Sequence, residues 1–322
     1  MADNNDPEKI AERIKSLIGW ATPPQIVILT DTSDWMRIER GHILRLGDRD
    51  FLVNGHQYEK RFGISDQPKY WVFNVFDLES GERKIVKTVF HEDFHVHIGV
   101  FKIHCFRSPE KEARVLDIVH GDNRFMQGTT IMDDKNNHVR VIDFIRGRTF
   151  FQQIFEIEKS HERYFHEDLP DILRNLADSF EAIRFLHRNK TCHGDIRNDH
   201  IIIEADTGRY RWIDFDLNQN VSDFDIWSLG NIVNYAVGKG ITTFKAALRD
   251  SRFPEEIRES LAPDDASGFF EYRLMNLGKL YPYIPEKLND ILLHFTIRPK
   301  QFYTNLDQFL DDYYEMLDSG IQ

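Results

Sequence analysis

One stretch constrains this chain more than any other. It runs from Thr191 to Gly230 and reads TCHGDIRNDHIIIEADTGRYRWIDFDLNQNVSDFDIWSLG. His193-Gly194-Asp195 opens a polar loop. The apolar run Ile201-Ile202-Ile203 leads into a turn at Asp206-Thr207-Gly208, and a second run, Trp212-Ile213, ends on Asp214-Phe215-Asp216. That pattern predicts a loop, a short hairpin and a carboxylate at the hairpin's far end. Asp195 and Asp214, distant in sequence, can then face one site. Two carboxylates so disposed suit phosphoryl transfer. One accepts the proton of an attacking hydroxyl, and the other holds a magnesium ion that bridges phosphate oxygens.

Composition narrows the setting. A length of 322 residues suits a two-lobed domain, and 41% hydrophobic residues suffice for a real core. A formal charge of −12 argues against a nucleic-acid partner, which needs clustered Lys and Arg. The two cysteines, Cys105 and Cys192, make no disulfide framework. The N-terminal MADNNDPEKIAERIK lacks an apolar signal core, and no run reaches the ~18 apolar residues of a membrane span. The expectation is a cytoplasmic protein with no membrane span.

Three motifs in order carry a resemblance. His193-Gly194-Asp195-Ile196-Arg197-Asn198-Asp199-His200 matches H-R-D-L-x-x-x-N in frame, Asp214-Phe215-Asp216 matches D-F-G, and Asp225-Ile226-Trp227-Ser228-Leu229-Gly230 matches D-x-W-S-x-G. The chain thus resembles the protein-kinase superfamily, as an atypical, bacterial-type Ser/Thr kinase-like domain with HGDIRNDH and DFD motifs. The resemblance covers roughly residues 60–320, with its motifs concentrated in 185–235. It implies an α+β fold with a small antiparallel β-rich lobe and a mostly helical large lobe. The expected division is an N-terminal extension at 1–38, an N-lobe at 39–145 and a C-lobe at 146–322.

The resemblance also assigns roles. Asp195 orients or deprotonates the acceptor hydroxyl, and Asp214 binds magnesium. His200 occupies the position of a metal-binding asparagine, so manganese is an option beside magnesium. Arg197 takes the place of a lysine that touches the γ-phosphate. In Ile85-Val86-Lys87-Thr88-Val89, Lys87 would grip the α- and β-phosphates, held by Glu112 on a helix capped by Ser108. Glu110 is the fallback for Glu112, and Lys102 is the rival of Lys87. The nucleotide-covering loop falls near 61–69. It departs from G-x-G-x-x-G, since only Gly63 is present, with Ser65 and Lys69 as side-chain substitutes. Adenine would bond backbone groups of about Asp143, Phe144 and Ile145.

Other segments read more plainly. The apolar residues Leu173, Leu176, Ala177, Phe180, Ile183, Phe185 and Leu186 predict the apolar face of a long helix, which by the resemblance delivers the chain to the catalytic loop. An insertion rich in His and Phe lies between Phe90 and Phe106, with His95 and His97 on one face of a strand. Asp214 and Asp225 are eleven positions apart (225 − 214) and span at most ~38 Å. That leaves no room for a regulatory loop and a peptide platform. The segment contains no A-P-E, and Gly194 stands where the family has a phosphate-reading arginine. The expected function is ATP-dependent transfer of a phosphoryl group to a hydroxyl, foremost of protein Ser/Thr. A small-molecule acceptor, and a nucleotide-binding scaffold without turnover, are the alternatives.

Overall fold

Alternating apolar residues and two tight turns build most of a sheet from the first third of the chain. The computed structural model describes residues 6–21, 25–59, 67–98, 101–219, 221, 224–268, 273–299 and 301–320. The described strands are β1 (Ile28–Leu29), β2 (Ile43–Leu46), β3 (Arg49–Glu59), β4 (Gln67–Asp77), β5 (Arg83–Lys87), β6 (Asp93–Ile98), β7 (Phe101–Arg107), β8 (Gly128–Met132), β9 (His138–Asp143), β10 (Gly147–Thr149), β11 (Ile201–Glu204), β12 (Tyr210–Trp212) and β13 (Leu217–Gln219). The described α-helices are α1 (Pro7–Arg13), α2 (Pro109–Ile118), α3 (Phe150–Phe155), α4 (His161–Glu167), α5 (Leu169–Arg188), α6 (Phe224–Val237), α7 (Phe244–Arg249), α8 (Glu255–Ser260), α9 (Glu286–Leu293) and α10 (Leu306–Asp318).

The chain divides into two compact units. The first comprises residues 1–92 and 107–145, and the second comprises 93–106 and 146–322. The N-terminal residues therefore belong with the first unit, and the His- and Phe-rich insertion belongs with the second.

In the first unit a seven-stranded sheet runs in the order β1-β2-β3-β4-β5-β9-β8. Leu44, Leu46, Phe51, Val53, Phe73, Val75, Val86, Val139 and Val141 form its main core. Ile10 and Ile14 pack with Ile43, Leu52 and Leu78 in a second cluster. Asp6 starts α1 by accepting the Glu8 N–H at 3.0 Å, with Pro7 in the first turn.

The second unit is mostly helical. Its long helix α5 buries Leu173, Leu176, Phe180 and Ile183. The Trp212 indole N–H donates to the Ser179 carbonyl at 2.9 Å, which ties β12 to α5, and the Tyr313 hydroxyl donates to the Leu173 carbonyl at 2.8 Å, which ties α10 to it. A Cβ at Gly230 would lie 2.6 Å from the Phe295 ring, so only glycine lets α6 meet that ring. Two small sheets complete the unit, β10-β11-β12 and β13-β7-β6. No described helix is long and apolar enough to cross a membrane.

Candidate active site

In the first unit, strand alternation sends Val86, Val139 and Val141 into the core and Lys87 and Arg140 away from it. Lys87 and Arg140 are paired across β5 and β9. Two cations side by side in a sheet repel each other unless a carboxylate joins them. Glu112 supplies it: the Lys87 ammonium donates to Oε1 at 2.7 Å and the Arg140 guanidinium to Oε2 at 3.1 Å. All three are buried, with relative exposures of 6% for Lys87, 0% for Glu112 and 1% for Arg140. Helix α2 positions Glu112 in its first turn, started by Pro109 and by Ser108, whose hydroxyl accepts the Lys111 N–H at 3.1 Å. Glu110 instead accepts from the Ser108 hydroxyl at the surface. Lys102 lies exposed on β7, in the second unit, whereas Lys87 and Glu112 both belong to the first. Sequence reasoning missed Arg140, although a lone arginine amid Val139, Val141 and Ile142 was a signal of a paired buried charge.

The other nucleotide-side expectations divide. Gly63 and Ser65 lie outside the described residues. Lys69 sits on β4 opposite Gln57. The Asp143 N–H is already given to the Gln127 carbonyl at 2.8 Å, and its carboxylate pairs with Lys84 at 2.8 Å. Phe144 lies under the Arg83 guanidinium at 3.8 Å, and Ile145 is buried.

In the second unit the loop that opens at His193 hangs on one carboxylate. Asp225, fully buried at the start of α6, accepts the His193 N–H at 2.8 Å, the Gly194 N–H at 2.8 Å and the His187 Nε2–H at 2.9 Å. Gly194 has φ 85°, a conformation that disfavours any side chain. Arginine at this position would therefore be strained. The Asp195 N–H donates to His193 Nδ1 at 3.3 Å, and the His193 ring meets Trp212 and Phe215 edge-on.

The loop brings Asp195, His200 and Asp214 together. His200 Nδ1 is 2.7 Å from the Asp195 carbonyl, which can only accept, so Nδ1 carries the proton. The same nitrogen is 3.7 Å from the Asp195 carboxylate, and Nε2 is 3.5 Å from the Asp214 carboxylate. Asp214 has φ 66°, a left-handed conformation that is uncommon for a residue with a side chain and collects at functional sites. Arg197 is engaged by Asp199 through two bonds, at 2.9 and 2.5 Å. Among the described residues no group of three or more His, Cys, Asp and Glu forms a metal site. In the hairpin insertion the His95 ring stacks on that of His104.

Asp225 carries a pH prediction. Burial opposes its ionisation, but the His187 hydrogen bond, the His187 and His193 charges and the Gly194 N–H outweigh it and hold its pKa at about 2, below the ordinary 3.8. A depressed folded pKa stabilises the fold above the unfolded value and loses that contribution as pH falls through the folded one. The contribution is roughly 2 kcal/mol. Wild type should therefore lose its stability advantage over Asp225→Asn between pH 4 and pH 2. Urea unfolding across that window tests this, and a pH-independent gap would contradict it.

No protein-family model matches the chain. It is 26% identical over 108 residues to a putative ribosomal protein S6 kinase alpha-2 of Caenorhabditis elegans, covering 33% of this chain and 13% of that protein. It is 20% identical over 235 residues to a probable serine/threonine-protein kinase, the KIN1 homolog of Encephalitozoon cuniculi, covering 62% of this chain and 39% of that protein. The matched regions span well under half the length of either relative. Among solved structures, a point mutant of the Mycobacterium tuberculosis PknI kinase domain superposes with a TM-score of 0.50 at 11% identity, covering 84% of this chain and 96% of that one.

Proposed function

The chain has a protein-kinase-like α+β fold, and from it we propose that this protein transfers the γ-phosphoryl group of ATP to a hydroxyl, foremost of a protein serine or threonine. The observation that carries the reading is the His200 ring held between the carboxylates of Asp195 and Asp214, at 3.7 and 3.5 Å. Asp195 accepts the proton of the acceptor hydroxyl and orients it for in-line attack. Lys87, steadied by Glu112, binds the α- and β-phosphates. Phe144 and Ile145 offer backbone groups to adenine, since the Asp143 N–H is committed. Arg197 reaches the γ-phosphate only by releasing Asp199.

A divalent cation fits the donors at hand. With Nδ1 protonated, His200 turns a lone pair on Nε2 toward the Asp214 carboxylate, and two acceptors in that arrangement call for a proton or a cation between them. Asp214 and His200 would hold that cation, which would neutralise charge on the phosphate oxygens. Imidazole in place of a hard amide oxygen favours manganese relative to magnesium. The short Asp214-to-Asp225 segment and Gly194 in place of arginine also support a second acceptor class, a small molecule with a free hydroxyl.

One experiment covers acceptor and metal together. Turnover of the unphosphorylated protein is measured in Mg2+ and in Mn2+, against Ser/Thr peptides, proteins and hydroxyl metabolites, for wild type and His200→Asn. The expected result is activity without prior phosphorylation, and a ratio of manganese to magnesium activity that falls severalfold in the variant. An unchanged ratio removes the metal role of His200. Absence of transfer to any acceptor, with ATP still bound, converts the reading to a binding scaffold.

A further inference from the structure

Between Asp214 and Asp225 the apolar residues are Phe215, Leu217, Val221 and Phe224. Phe215 packs against the ring of His193 in the catalytic loop. The other three go to the insertion. Leu217 forms a buried cluster with Ile103 and Cys105 of β7, and Phe94, Val96, Val221 and Phe224 pack around it. Strand β13 adds to the edge of the hairpin, giving the order β13-β7-β6. The hairpin is regular, pairing Asp93 with Phe106 through Ile98 with Phe101. Its stem is closed by the Arg107 N–H donating to the Glu92 carbonyl at 2.9 Å and by a 2.8 Å pair between the two side chains. The segment that follows Asp214 is thus secured at both ends. Its start is a strand of the hairpin sheet, and its end is Asp225, which holds the catalytic loop.

We propose that hairpin β6–β7 is a built-in clamp that, through β13, keeps residues 214–219 in their working conformation, so that no phosphate after Asp214 is needed. The functional half of this inference rests on the phosphotransfer reading above; the structural half rests on strand pairing and the shared cluster. Three features agree with it. A three-residue strand such as β13 has little stability of its own and depends on its neighbour for both hydrogen bonds and burial. The left-handed backbone at Asp214 persists only where the surroundings over-determine it. Burial, together with the nearby Asp195 charge, raises the Cys105 thiol pKa, so Cys105 serves as a neutral packing residue of β7 within range of the catalytic carboxylate.

The test is amide hydrogen exchange with a parallel titration of Mg·ATP, on the full chain and on Ile103→Asp. The amides of 217–219 should exchange about tenfold faster in the variant, while those of α5 and α10 keep their protection. Affinity for Mg·ATP should fall about fivefold, because the binding-competent conformation of Asp214 becomes a minor state. Phe94→Ser, on the half-buried outer strand, is the milder variant if Ile103→Asp also loses protection in α5 and α10. Unchanged exchange at 217–219 in a folded variant overturns the clamp. Faster exchange with unchanged Mg·ATP affinity overturns its service to the site. Failure of the wild-type protein to bind Mg·ATP overturns the phosphotransfer reading instead, and the exchange data then decide the clamp alone.

Discussion

Asp195→Asn is expected to lower phosphoryl transfer by about 10²- to 10⁴-fold, the range a positioned general base contributes, while leaving the fold and Mg·ATP binding intact. The structure explains why the loss should be confined to chemistry. The loop around Asp195 is held by main-chain groups: its N–H goes to His193 Nδ1, and its carbonyl receives His200 Nδ1. The anchor of the loop is Asp225, which binds the N–H groups of His193 and Gly194. None of these bonds uses the Asp195 carboxylate, so an isosteric amide keeps them all. Single-turnover transfer at saturating nucleotide, set beside a melting curve and an ATP titration, separates the cases. A rate within threefold of wild type would remove Asp195 from the chemistry. A parallel loss of nucleotide binding would make its role structural.

Glu112→Ala is expected to cost about 3–5 kcal/mol of stability, because it strands two cations without their carboxylate in a desolvated site. Lys87 and Arg140 both rely on Glu112, which is 0% exposed. Lys87→Met should behave oppositely. It removes one of two neighbouring cations, keeps the volume and leaves Arg140 paired, so stability should stay within ~1 kcal/mol of wild type or rise. Its cost should appear in Mg·ATP affinity. Urea unfolding of both single variants and the double variant, with nucleotide titration of Lys87→Met, tests the pair. A Lys87→Met protein that binds nucleotide as wild type does would assign the whole triad to structure.

Local signals carried the sequence reading a long way. Asp6-Pro7 and Ser108-Pro109 each mark a helix start because a side-chain oxygen and a proline act within one turn. The spacing Leu173, Leu176, Phe180, Ile183 determines a buried helix face. The turn at 206–208 pairs Ile201 with Trp212 and so carries Asp214 back toward Asp195. In these places the deciding interactions lie within a few residues along the chain.

Tertiary structure decided the rest. The Arg140 contribution to the Lys87–Glu112 pair depends on β9 lying beside β5 in a register that aligns residues 87 and 140. The partner of His200 follows from the path of the loop, which turns one nitrogen to a carbonyl and the other to Asp214. The union of β13 with β7 is the clearest case. Its strands are more than a hundred residues apart, and any exposed edge offers the same unpaired N–H and C=O groups. Hydrophobic alternation says that a strand must be covered, but only the packing of Leu217 against Ile103 and Cys105 selects which edge covers it.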